Sequence, residues 1–201
     1  MTRRAWLTLG ATAAAFVLAG YGPVKVIDTS WRRQPAGPQL ADLNPDRMWP
    51  AYRRYHLLIV GQRDDAKSTT LAAATADTLV RFLPASRAQV TSAPDTRRVG
   101  VLIATVQQDV AIMAKESAEA LFLGNPPFAD IGGAPIRAMV SFGGYLFVCR
   151  PDFKARHAYL IAQALAQHPE ALPAPAGAPE GAVPAHPGAD AFFAGRDLPN
   201  D

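Results

Sequence analysis

Short apolar runs at 56–61, 110–113 and 145–149 are separated by segments whose apolar residues recur at helical spacing. A strand that reads as continuously apolar is buried on both faces, which happens when helices cover both sides of a sheet. Alternation of this kind predicts an α/β chain with a mainly parallel sheet flanked by helices. Between the runs, residues 66–83 place Leu71, Thr75, Leu79, Phe82 and Leu83 on one helical face and stop at Pro84, with Asp64, Asp65 or Ser68 as the cap. Residues 87–92 alternate weakly, as a second strand would. Asp95 or Thr96 opens a second helix whose face is Val99, Leu102, Ile103 and Val106. A short helix over 116–123 is closed by Gly124. After a Pro/Gly-rich loop, strands at 136–142 and 145–149 are interrupted by Gly143-Gly144, a pair suited to a tight turn or to a crossing between lobes. Asp152 is expected to cap a last helix running to His168, with Leu160, Ile161, Ala164 and Leu165 on its buried face. Residues 169–187 carry six prolines and six alanines, which predicts a stiff linker rather than a packed element.

The start of the chain has another character. Arg3 and Arg4 precede an uncharged apolar run, the pattern of an export signal, with small residues around Ala19 offering a cleavage point. The paired arginines also resemble a twin-arginine signal; uncleaved, the run is long enough to tether the chain to a membrane. Residues 23–55 combine Pro35, Pro38, Pro45 and Pro50 with Trp31, Trp49, Tyr52 and Tyr55, and read as an extended arm that packs on the domain or on a partner. The expected organisation is an export signal over 1–22, the arm over 23–55, an α/β domain over 56–168 and a Pro/Ala-rich linker and tail over 169–201. The expected location is the periplasm.

Little in the sequence points to catalysis. HExxH, CxxC, GxSxG and Walker patterns are lacking, and the four histidines do not pair with Cys or carboxylates at metal-ligand spacing. Cys149 lies in an apolar run and reads as a core thiol. A net charge of +3 without a basic run gives no footprint for nucleic acid. No enzyme activity, metal or cofactor is expected. Sheets of this class bind ligands beyond the carboxyl ends of their strands, here Gly61-Gln62, Ser92, Ala114 and the adjoining loops. Asp64-Asp65 reads as a pair of helix-start carboxylates rather than a cation site. Lys67-Ser68-Thr69-Thr70 lacks the glycines of a phosphate loop.

The stretch Val183-Pro184-Ala185-His186-Pro187-Gly188-Ala189-Asp190-Ala191-Phe192-Phe193 resembles the closing segment of the TAXI family, solute-binding proteins of a branch of TRAP transporters. Residues 106–113, Ile136 to Met139, and Tyr145 to Arg150 with Asp152 are similar to other parts of that family. The resemblance implies a periplasmic-binding-protein-like lobe that takes a small solute such as a carboxylate and works with a transporter membrane subunit. It directs attention to Gly61, Gln62, Ser68 and Thr69 at the first strand end, with Gln108 and Tyr145 as further ligand-binding candidates. The first loop lacks the family's Gly/Ser/Thr richness, and most of a second lobe is missing. An envelope accessory protein that has lost solute binding is the alternative expectation.

Overall fold

The computed structural model describes residues 56–200. The export signal and the arm expected over 1–55 lie outside the described residues. One five-stranded sheet has the order β2-β1-β3-β5-β4, with β1 at Leu58–Gln62, β2 at Gln89–Ala93, β3 at Val110–Ala114, β4 at Arg137–Ser141 and β5 at Tyr145–Cys149. β1 pairs in parallel with β2 and β3, whereas β5 is antiparallel to both β3 and β4. Four strands of this sheet therefore run one way and β5 runs against them. Gly143-Gly144 is the tight turn of the β4–β5 hairpin, and the hairpin folds so that β5 enters between β3 and β4.

Among the described residues five helices flank the sheet: α1 (Ala66–Phe82), α2 (Thr96–Ala104), α3 (Lys115–Leu123), α4 (Ala155–Gln167) and α5 (Pro187–Phe193). The two-residue period of the strands divides the core. Ile59, Ile112 and Phe147 meet Leu71 and Leu79 of α1, Ile161 and Leu165 of α4, and Ala189 of α5. Val60, Ala111, Met113, Leu146 and Val148 point the other way, against Val99 and Ile103 of α2 and Ala118 and Leu121 of α3. A bulge between Ala138 and Val140 breaks the alternation in β4, so Met139 and Val140 share one face. The chain is thus α/β, with a mixed, mainly parallel sheet covered on both faces, in the manner of a Rossmann-like or periplasmic-binding-protein-like lobe. Among the described residues no helix is long and apolar enough to cross a membrane.

Several local expectations change. α2 stops at Ala104, and Val106 is half-exposed in a left-handed turn at φ 63° instead of extending the buried face. The chain must turn here because the Gln107 and Gln108 amides both donate back to the Leu102 carbonyl. Asp152 does not cap α4. It pairs with Arg150, which also holds Asp109, while α4 starts three residues later without a side-chain cap.

The Pro/Ala-rich segment is held against the sheet. Ser141 and Gly177 exchange both backbone hydrogen bonds at 2.9 Å, Ala138 donates to the Pro184 carbonyl, and His186 donates back to Ala138. The segment covers the free edge of β4, a position that would otherwise leave a row of backbone groups open to pairing, and Val183 is buried beneath it.

His186 anchors the final helix. Its ring is 2% exposed; Nδ1 accepts from the Gly188 amide at 3.2 Å, so Nε2 carries the hydrogen and donates to the Phe153 carbonyl at 2.8 Å. Pro187 starts α5, where a missing N–H costs nothing. Gly188 then lets α5 close on α4, since a Cβ there would lie 1.9 Å from the Ala155 carbonyl oxygen. Gly188→Ala should lower stability by about 3 kcal/mol, the upper range for overpacking. Gly144→Ala, where a Cβ meets nothing within 4 Å, should stay within about 0.5 kcal/mol of the parent. Urea unfolding of the two variants checks this, and equal losses would contradict the packing argument.

Candidate functional site

β1 is followed through α1 by β2 on one side and, after α2, by β3 on the other. The carboxyl ends of β1 and β3 therefore flank the point where successive connections diverge, which is where sheets of this class bind ligands. Asp65 opens α1 on the first loop. One carboxylate oxygen accepts from the Lys67 and Ser68 amides at 3.0 and 3.2 Å. The other accepts from the Tyr145 hydroxyl at 2.7 Å. The cap of α1 is thereby joined to the start of β5, and the Lys67 ammonium sits 5.2 Å from the Tyr145 ring centre. The loop itself is tied to β2, with the Arg63 and Asp64 amides donating to the Ala93 and Pro94 carbonyls at 2.8 and 3.2 Å.

Ser68 and Thr69 lie at the expected place, but their hydroxyls are already committed. Ser68 is fully buried; its Oγ accepts from the Gln62 amide at 3.1 Å and donates to the Ile112 carbonyl at 2.9 Å. Thr69 donates to the Gln62 carbonyl at 2.6 Å. Gly61 permits the close approach of α1, since a Cβ there would stand 3.1 Å from the Ala72 Cβ. These three residues build the site's frame.

Gln62 differs. It is 4% exposed, and its side-chain Nε2 is buried without a hydrogen-bond partner. The alternation of β1 puts its side chain on the same face as Val60, the face covered by α2 and α3. The register Ile59–Val110 and Val60–Ala111, continued, sets Gln62 level with the end of β3, directly before α3. α3 has no side-chain cap; the Lys115 amide donates to Gly144, and the Glu116 and Ser117 amides of the first turn have no side-chain acceptor. Thr96, the first residue of α2, likewise has a buried hydroxyl without a partner. An orphan side-chain amide N–H and a helix start are both donors, so this end of the sheet is suited to an acceptor-rich, anionic group.

Tyr145, level with Ala114 at the end of β3, lies on the same edge of the sheet, and its phenol is pushed up to about 12 by burial first, then by the hydrogen bond to Asp65 and the negative charges of Asp65 and Glu116. It stays a neutral donor at physiological pH. Gln108, in contrast, precedes β3 and stands at its amino end, on the opposite edge of the sheet from Gln62. It is removed from the site. Cys149 is fully buried, and burial, followed by the Asp152 charge, pushes its thiol far above the ordinary range, so it is no nucleophile. Among the described residues no three His, Cys, Asp or Glu side chains gather in a way that could hold a metal ion. The Asp65–Tyr145 pair and the uncapped start of α3 carry no sequence signal: the first joins residues 80 apart, and the second depends on where β3 ends.

Comparison with protein-family models and with curated proteins gives no match.

The Tyr145–Asp65 contact predicts a pH response. Below pH 10.0, the ordinary value, the phenol is protonated in folded and unfolded chains alike. Between that value and about 12 the unfolded chain loses the proton first, so stability falls as pH rises through this window. Tyr145→Phe should cost about 1 kcal/mol at neutral pH and flatten that part of the alkaline decline. Urea unfolding across the window checks it, and an unchanged slope would show that the contact contributes nothing.

Proposed function

We propose that this chain is a non-catalytic, solute-binding-like lobe of TAXI type, exported to the periplasm by residues 1–22, that takes the carboxylate of a small solute in the crevice between the ends of β1 and β3. The observation that carries the reading is the buried, unpartnered side-chain amide of Gln62, on a strand whose register brings it level with the end of β3, just before a helix start without a side-chain cap. A buried polar group without a partner costs roughly 1–3 kcal/mol. A carboxylate oxygen would satisfy the Gln62 amide and the first-turn amides of α3 together. The sheet order and the tail motif support the same reading. With one lobe the solute stays open to water on its far side, so binding is expected to be weak and to strengthen where a second surface, such as a transporter membrane subunit, closes over it.

The commitment of Ser68 and Thr69 to backbone bonds favours the alternative, an envelope accessory protein without a solute. The two readings part on one substitution. Gln62→Leu should leave stability unchanged or raise it by about 1 kcal/mol, because it removes an unsatisfied group, and should weaken calorimetric binding of small carboxylates at least tenfold. Ser68→Ala should cost about 2 kcal/mol of stability by stripping partners from the Gln62 backbone N–H and the Ile112 carbonyl. Failure of the full chain to bind any of a panel of small mono- and dicarboxylates would leave the accessory reading standing.

A further inference from the structure

At the amino edge of the sheet, across from the Gln62 crevice, is a cleft of about 280 Å³ walled by Leu57, Leu83, Phe153, Leu160 and Ile161. Most of these apolar side chains are only half-buried. His56, the first described residue, lies on its rim. The entering chain is fixed there, because the Leu57 amide donates to Ser86 at 3.0 Å and the Leu57 carbonyl accepts from Gln89 at 2.9 Å. The segment before His56 therefore begins at the mouth of a mainly apolar cleft, whose lining also includes Ser86, Asp109, Arg156 and His157. That segment is Trp49-Pro50-Ala51-Tyr52-Arg53-Arg54-Tyr55, three aromatic side chains in seven residues.

We propose that the aromatic end of the N-terminal arm occupies this cleft, with Trp49 as its anchor. Reach allows it: seven residues span at most about 25 Å. Mass action favours it, since a short tether holds Trp49 near the cleft at an effective concentration of roughly millimolar order, which a second copy or a dilute partner does not match. Chemistry favours it as well. An indole is a large, rigid apolar body that loses little rotamer freedom on docking, and Pro45 and Pro50 restrict the unbound arm. The arm then acts as a plug that completes the core on the side away from the solute crevice, so the two edges of the sheet have separate duties. This holds whether or not the crevice binds a solute.

The tryptophans make the idea directly readable. All three, Trp6, Trp31 and Trp49, precede His56, so the described domain is silent in tryptophan fluorescence. In the full chain carrying Trp6→Phe and Trp31→Phe, Trp49 should emit to the blue of the denatured protein and be quenched by acrylamide at least threefold less. Leu160→Glu should shift the emission red and restore most of the quenching while the far-ultraviolet circular dichroism is kept. Should that variant fail to fold, Leu160→Ser is the milder form and should raise quenching at least 1.5-fold. Equal quenching in native and denatured protein, indifference to both substitutions, or shielding that appears only as protein concentration rises (a second copy as the occupant) would each overturn the proposal.

Discussion

The hydroxyl of Ser68 links three elements that would otherwise separate. β1 and β3 keep their ladder at Ile59–Val110 and Val60–Ala111, and beyond it the relay from the Gln62 amide to Ser68 Oγ to the Ile112 carbonyl replaces direct pairing. Each of those backbone groups is buried, and leaving either unmade costs roughly 1–3 kcal/mol. By bridging the Gln62 backbone N–H and the Ile112 carbonyl, one serine in the first turn of α1 lets the strands part at their carboxyl ends without orphaning their backbone. Next to this relay the Gln62 side chain is buried with its Nε2 donor unanswered.

That arrangement explains how much of the molecule is legible in its sequence. β1, β3 and β5 are readable because burial on both faces leaves no polar positions in the apolar runs. α1 is readable because Asp65 and Pro84 mark its ends. The insertion of β5 between β3 and β4 is not readable, since chain order says which strands exist and not which become neighbours. Asp152 fits a local capping pattern, but the nearby Arg150 guanidinium offers a stronger charged partner. Gln108 is a different kind of miss: a residue that precedes a parallel strand belongs to its amino end, so topology alone excludes it from a carboxyl-edge site. Ser68 and Thr69 are legible by position, yet what they do is structural, because side-chain hydroxyls so close to unpaired backbone are captured by it.

The C-terminal stretch shows how composition misleads. Proline and alanine in quantity suggest a spacer, but prolines suit a segment that lies along an edge strand, where alternate N–H groups are not needed. His186, Pro187 and Gly188 then act together: the imidazole is held at both nitrogens, the proline opens α5, and the glycine allows backbone contact with α4. The segment covers the β4 edge and docks a helix on the same face as α1 and α4.

The Gln62 side-chain amide is the central donor of the proposed site, the group that a carboxylate would answer. Its side-chain NH2 gives its own pair of signals in a two-dimensional nitrogen–proton NMR spectrum, separate from the Ser68 backbone amide. Titrating small carboxylates into the labelled full chain should move the Gln62 side-chain pair together with the Glu116 and Ser117 amides, saturably, while the Ser68 amide stays nearly still. Shifts that leave the Gln62 pair in place, or that gather instead around Gln108 at the opposite edge of the sheet, would contradict it.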